Sequence, residues 1–536
     1  MKKAYVPIIL IAIIVVILLA HVNYLRFVCD DAFISFRYAK NFVEGNGLVY
    51  NIGERVEGYT NFLWTLLLSL FMKMGLDPVV MSQILGVLFS LATVFLLLRL
   101  NRRLYPDGSM FNYLAPLFLA CCGAFAAWST GGLETPLFTF LVLLGSFFLI
   151  AGVDNPKHLA HSGIIFALVC MTRLDGLILA FVTFGFLLYL VLSVKKVEVK
   201  GLLLWSLFLL IPFLLYFVWR WSYYGKMLPN TFYIKVAGAA YYQQGFSYLL
   251  SFIERFWIWF MVVPLFFLGK GMKLNTKLRM VVLYFTSMIL VFSCYVVYVG
   301  GDFMDMFRFL VPILPFFFFL IQEGFRWMYQ YSERLVAGRR KTALKALGLL
   351  LIGSSILLLA YPSGESNKVW SREGVDSIGL LRESSRLWSK VGLTFKELAD
   401  PYESLSTTAA GAIAYYSELY TIDELGLTLA SQSGLNVGEY PRPGHQKRVT
   451  RQFLVSRKPT YILRHPLFFY DHELDRLRTS EKEEIFFANG YELMLLGIET
   501  TDEGRKYLHS FRLKESRAGQ IDQDGPQNRT PHDSGN

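Results

Sequence analysis

Apolar runs recur from Val6 to Leu359, and each limits what its stretch of chain can become. VPIILIAIIVVILLA and LLLWSLFLLIPFLLYFVW approach or reach the roughly 20 residues that cross about 30 Å of hydrocarbon. Of 536 residues, 54% are hydrophobic and only 17% are charged, a balance that a soluble protein of this length does not show. The chain reads as a polytopic α-helical membrane protein. Its net charge of +11 sits largely in short clusters at one end of the spans. That is the positive-inside pattern, and it argues against nucleic acid as a partner. None of the five cysteines lies beyond Cys294, so no disulfide framework is expected in the C-terminal part. The start MKK followed by a long apolar run, with LLAHVN offering a poor cleavage site, reads as an uncleaved anchor.

Placing Lys2 and Lys3 in the cytoplasm sends the first span, about residues 4–22, outward to Asp30 and Asp31. The run from Asn61, about 15 residues and roughly 22 Å long as a helix, is too short to cross and reads as an interfacial helix. The next span then ends inside at Arg99, Arg102 and Arg103. Continued in this way, the chain makes about eleven spans, with interfacial helices in the first external loop. Three domains follow: a transmembrane domain over 1–361, an extracytoplasmic α/β domain over 362–512 and a disordered tail over 513–536. Within the α/β domain, SLSTTAAGAIAYYSELYTIDELGLT reads as strand, turn, short helix and strand.

On this topology the polar motifs gather outside: CDDAF, GERVEGYTN, TGGLETP, RLDG, LPNTFYIK and GGDFMDMFR. A site built at the outer boundary of the bilayer explains that asymmetry. Asp31 reads as the N-cap of a helix from Ala32 to about Glu44, amphipathic and lying along the interface. A carboxylate at a helix N-terminus is favoured in its ionised form, as a general base or a cation ligand requires. The plainer alternative is one capping and one solvated aspartate. Arg37, Arg55, Lys235 and Arg308 break the positive-inside trend and suit an anionic phosphate, with lipid headgroups as the alternative partner. Glu57, Tyr59, Asn61, Glu134, Asn230, Asp302 and His445 complete the set as sugar or acceptor contacts. Arg173 and Asp175 read first as a local ion pair. Phosphate-loop, HExxH and paired CxxC signatures are missing, so an activated substrate has to arrive through the membrane.

DDAFISFRYAKNFVEGNGLVYNIGERVEGYTNFLW, GKMLPNTFYIK, GGDFMDMFRFLVPILP and GAIAYYSELYTIDELGL together resemble the GT-C class of membrane glycosyltransferases. Within that class the likeness is to the family of the mycobacterial terminal β-(1→2)-arabinofuranosyltransferase, over about residues 24–465. The resemblance implies essential acidic residues in the first external loop, matching Asp30 and Asp31. It also implies a polyprenyl-phosphate-sugar donor and an extracytoplasmic cell-envelope glycan acceptor bound partly by the C-terminal domain. The expectation is a multi-pass enzyme of the bacterial cytoplasmic membrane, with Asp30 slightly preferred over Asp31 as the base. It needs no cofactor, and a divalent cation at the aspartates stays open. A lipid or polysaccharide transporter and a non-catalytic glycan-binding subunit are the competing classes.

Overall fold

The computed structural model describes residues 2–106, 108–235, 241–334, 338–430, 435–442, 445–470, 483–500 and 504–514. The tail expected to be disordered lies, from residue 515 onward, outside these described residues. Eight helices among them have the length and apolarity to cross a bilayer: Tyr5–Tyr24, Pro78–Leu104, Thr135–Asp154, Gly176–Val194, Val199–Tyr224, Thr276–Val299, Arg308–Arg334 and Arg339–Ser366. Three other expected spans take a different form. The segment 110–128 breaks at Cys122, whose extended backbone separates Leu114–Cys121 from Gly123–Trp128. Lys157–Thr172 is a helix of 16 residues. The segment 242–274 is divided into Tyr242–Arg255, Ile258–Met261 and Leu265–Leu274, with Trp257 left-handed (φ 52°) between the first two. The run after Asn61 forms a helix of 12 residues, Phe62–Lys73. At about 18 Å it is too short to cross a bilayer.

A small α/β domain follows the last span. Its five-stranded sheet runs in the order Tyr420–Asp423, Ser404–Thr407, Tyr461–Tyr470, Gly504–Leu513, Tyr491–Thr500. The first two pairings are parallel and the last two antiparallel. Helix Ile378–Leu398 covers one face through Val391 and Phe395, packed with Leu405, Tyr461 and Leu508. Leu454 and Phe486, from two short helices, cover the other face against Ile462 and Phe511. Each face thus buries its alternate side chains, as an α/β layer requires. Helix Ala412–Ser417 connects the strands Ser404–Thr407 and Tyr420–Asp423, where the sequence reads turn, helix and strand.

This domain is built onto the membrane part. Asp305 N–H donates to Asp376 O at 3.0 Å, and Asp376 N–H to Phe303 O at 2.8 Å. The helix Asp30–Val43 is buried along most of its length, Arg37 and Asn41 included. The amphipathic pattern of this helix therefore does not mark a side that faces solvent. Its polar side is covered by the loop around Tyr50 and by the C-terminal domain.

Candidate active site

Two adjacent aspartates open the helix Asp30–Val43, and their carboxyl groups do different work. The N-cap is Cys29, with no side-chain cap, so Asp31 does not cap its own helix as the sequence suggests. Asp30 instead accepts from Gly411 N–H at 3.0 Å and Ala412 N–H at 2.7 Å, capping helix Ala412–Ser417 of the C-terminal domain. A Cβ on Gly411 would stand 2.0 Å from Asp30 O, so only glycine fits that approach. Burial pushes the Asp30 carboxyl up to about 7, opposed by these two amides.

Asp31 lines a cavity of about 280 Å³. Ser35, one turn further along the same helix face, lines it too, and its hydroxyl donates to Asn61 Oδ1 at 3.0 Å. Asn61 Nδ2 donates in turn to Glu134 Oε2 at 2.9 Å. Glu134 heads the span Thr135–Asp154 after the glycine pair. Gly132, at φ +84°, lies so close to the aspartate helix that a Cβ there would meet Ala32 Cβ at 2.7 Å. Trp64 Nε1 donates to Gly132 O at 3.0 Å and fixes the turn.

The opposite wall comes from the 300–309 loop. Arg308 approaches Asp302 at 2.8 Å, and Asp31 and Glu134 act on it electrostatically. It is aimed there by two successive left-handed residues, Met306 (φ 60°) and Phe307 (φ 47°). Such a pair is costly and needs surroundings that over-determine it. Trp128 Nε1 holds Met306 O at 3.0 Å, and the Phe307 ring packs among Tyr248, Phe252 and Phe256. Arg173 adds a second buried guanidinium, bound to Asp175 at 2.6 Å and 3.6 Å from Glu134. Tyr295, Tyr298 and Phe309 supply aromatic surface, and Leu427 reaches in from the C-terminal domain.

Of the residues singled out in the sequence, Asp31, Tyr59, Asn61, Glu134, Asp302 and Arg308 meet at this cavity. Others stand elsewhere. Arg37, expected at the donor phosphate, is buried between the helix and the C-terminal domain. It donates to Tyr50 O (2.7 Å), Asn51 Oδ1 (3.1 Å), Leu419 O (2.8 Å) and Ala414 O. Its donors are spent on protein oxygens, so it works as a clamp. Arg55 is exposed over the Tyr223 ring. Glu57 forms a buried ion pair with Arg220 at 2.6 Å. Asn230 Nδ2 holds the carbonyls of Gly426, Leu427 and Leu429 at 2.9–3.0 Å, fixing the loop that carries Leu427. The side chains of Lys235 and His445 lie outside the described residues. Among the described residues, no group of three or more His, Cys, Asp or Glu side chains is arranged to hold a metal ion. Sequence reasoning passed over Ser35, whereas the local ion pair expected for Arg173 and Asp175 is present and both residues also line the cavity. The spacing of Ser35 four residues after Asp31 was the available signal for it.

An α-helical membrane core, acidic side chains at the mouth of its spans and a small sheet domain against that mouth form a GT-C fold, shared with two solved structures. Undecaprenyl-phosphate-bound ArnT from Cupriavidus metallidurans is similar over 94% of this chain and 97% of its own, with a TM-score of 0.58 at 12% identity. The archaeal oligosaccharyltransferase AglB from Archaeoglobus fulgidus, in complex with an inhibitory peptide and a dolichol-phosphate, is similar over 86% of this chain and 69% of its own, with a TM-score of 0.51 at 9% identity. In sequence, the chain is similar to the terminal β-(1→2)-arabinofuranosyltransferase of Mycobacterium tuberculosis, with 27% identity over 258 residues, which is 45% of this chain and 39% of that protein. The chain thus covers less than half the length of that curated relative. Residues 379–516 match a family described as a domain of unknown function (DUF8728).

Proposed function

We propose that this protein is a glycosyltransferase of the bacterial cytoplasmic membrane. It transfers a sugar, with arabinofuranose favoured, from a polyprenyl-phosphate donor to an extracytoplasmic cell-envelope glycan. The observation that carries this reading is the cavity holding Asp31 opposite Arg308 at the mouth of the spans. The relative from M. tuberculosis is named for arabinofuranosyl transfer, and the two solved structures of this fold hold undecaprenyl phosphate and dolichol-phosphate. Both support the choice of sugar and carrier.

In the proposed reaction the Asp31 carboxylate takes the proton of the acceptor hydroxyl as its oxygen bonds to the anomeric carbon. The bond from that carbon to the phosphate oxygen breaks, and polyprenyl phosphate leaves against Arg308. Four carboxylates (Asp31, Glu134, Asp175, Asp302) and two guanidiniums (Arg173, Arg308) line the cavity, an excess of two negative charges. That excess suits a sugar acquiring positive charge at its anomeric carbon. The chemistry calls for no cofactor, because Arg308 supplies charge to the leaving group. Leu427 brings the C-terminal domain to the cavity edge, where a glycan acceptor would enter.

The test incubates purified protein with a panel of polyprenyl-phosphate sugars and an arabinan acceptor, and measures released polyprenyl phosphate. The arabinofuranosyl donor should release it fastest. Release no faster than from the Asp31→Asn variant, for every donor in the panel, would sink the proposal.

A further inference from the structure

Three spans that start or end at the catalytic cavity carry a second cavity at their other ends. Thr135–Asp154 starts beside Glu134 and ends at Asp154, and Gly176–Val194 starts beside Asp175 and ends just before Lys196. Thr276–Val299 runs the other way, from Lys277 to Val299 at the catalytic cavity. With 20 residues in the first of these helices, the two cavities are separated by about 30 Å, the thickness of the hydrocarbon core.

The second cavity encloses about 300 Å³. Leu149, Ile150, Val281 and Tyr284 are buried around it, and its rim is charged. On the rim, Asp154 receives both Arg103 at 3.0 Å and Lys277 at 3.3 Å, so one carboxylate faces two cations. Lys196 adds a cation with no carboxylate partner among the described residues, and the charged groups that line the cavity (Asp154, Lys196, Lys277) leave an excess of one positive charge. A specific backbone device puts Lys196 there. The last turn of its span widens to a π-helix at Leu190–Val194, Lys195 turns left-handed (φ 54°), and Lys196 N–H reaches back to Leu190 O at 3.0 Å.

An apolar slot at a membrane boundary with excess positive charge at its mouth fits a molecule with an acyl chain and an anionic phosphate. We propose that this cavity binds an anionic phospholipid, one acyl chain lying between the three spans and the phosphate meeting Lys196 and Lys277. Such a lipid ties together the far ends of the helices that hold Glu134, Asp175 and Tyr295. The proposal does not depend on the sugar or the acceptor, and its test reads binding alone.

The full-length protein would be reconstituted in phosphatidylcholine nanodiscs containing a trace of phosphatidylglycerol with a photoreactive acyl chain. After illumination, crosslinked peptides are mapped by mass spectrometry. Crosslinks are expected around Leu149–Val153 and Met280–Tyr284. Each basic residue removed should lower their yield roughly fivefold, so Lys196→Gln/Lys277→Gln should lose about 25-fold. Met280→Trp, which fills the slot and keeps the charges, should also abolish them and serves as the test if the double variant does not fold. Equal labelling by photoreactive phosphatidylcholine, or undiminished labelling in these variants, overturns the proposal. So does displacement by undecaprenyl phosphate at tenfold lower concentration than by phosphatidylglycerol, which would assign the cavity to the carrier lipid.

Discussion

Asp30 and Asp31 share a helical turn, yet Asp30 is bonded to amides 381 and 382 positions away while Asp31 lines the cavity. Replacing each by asparagine should separate the two roles. Asp31→Asn should cut transfer by roughly 10²–10⁴-fold, the usual worth of a general base, with the thermal midpoint nearly unchanged. Asp30→Asn keeps one acceptor and should lose about 1 kcal/mol of stability while retaining most activity. The reverse pattern would exchange the assignments. Asp30 also carries a pH signature. A carboxyl lifted from 3.8 to about 7 by burial binds its proton more tightly folded than unfolded. Its contribution to stability is therefore full below pH 4 and is lost as pH rises through about 7. Melting profiles should show this slope in the wild type and its disappearance in Asp30→Asn. The arginines divide in the same way. Arg308→Gln should raise donor KM roughly 10- to 150-fold, with lysine rescuing only partly. Arg37→Gln should leave donor KM alone and cost about 2–4 kcal/mol, because the buried carbonyls of Tyr50, Ala414 and Leu419 lose a donor.

Helix Ala412–Ser417 is only 6 residues long, yet it joins the two halves of the molecule. Asp30 caps its start, Arg37 takes Ala414 O near its middle, and Lys40 pairs with Glu418 just after it. Gly411→Ala would push a Cβ against the Asp30 backbone. The expected result is undocking of the domain, measured as faster proteolysis around residues 364–374 and loss of activity, with the secondary structure of the spans retained. Wild-type resistance to protease in this variant would show that the joint tolerates the change.

At the scale of the molecule, one topology accounts for the polar motifs, the basic clusters and the two cavities. Single cysteines at the exposed positions Ile52, Leu76, Met110 and Tyr402, in a background where the exposed Cys294 is replaced by serine, can be probed on intact cells with an impermeant thiol reagent. Labelling is expected at 52, 76 and 402 and protection at 110. Labelling at 110, or protection at 76, would reverse the scheme.

Several features were legible because their causes are local. Hydrocarbon thickness sets the length of an apolar run, so the long spans, and the shortness of Phe62–Lys73, can be read from composition alone. The ion pair of Arg173 with Asp175, two residues further on, is equally local. What a carboxylate or guanidinium meets across hundreds of residues is not written in its neighbourhood. Asp30 and Asp31 are the same residue type in the same turn, and only the docking of Gly411 made one a cap and left the other to the cavity. Arg37 and Arg308 both stand among aromatic residues in the sequence. The close packing of the C-terminal domain made the first a clamp, while the left-handed turn at Met306 and Phe307 aimed the second at Asp302. The sequence determined the eight long apolar helices, because water and lipid act on each segment separately, while the breaks at Cys122 and Trp257 were set by the fold. Tertiary structure decided the site, because buried polar groups take their roles from the partners that folding brings to them.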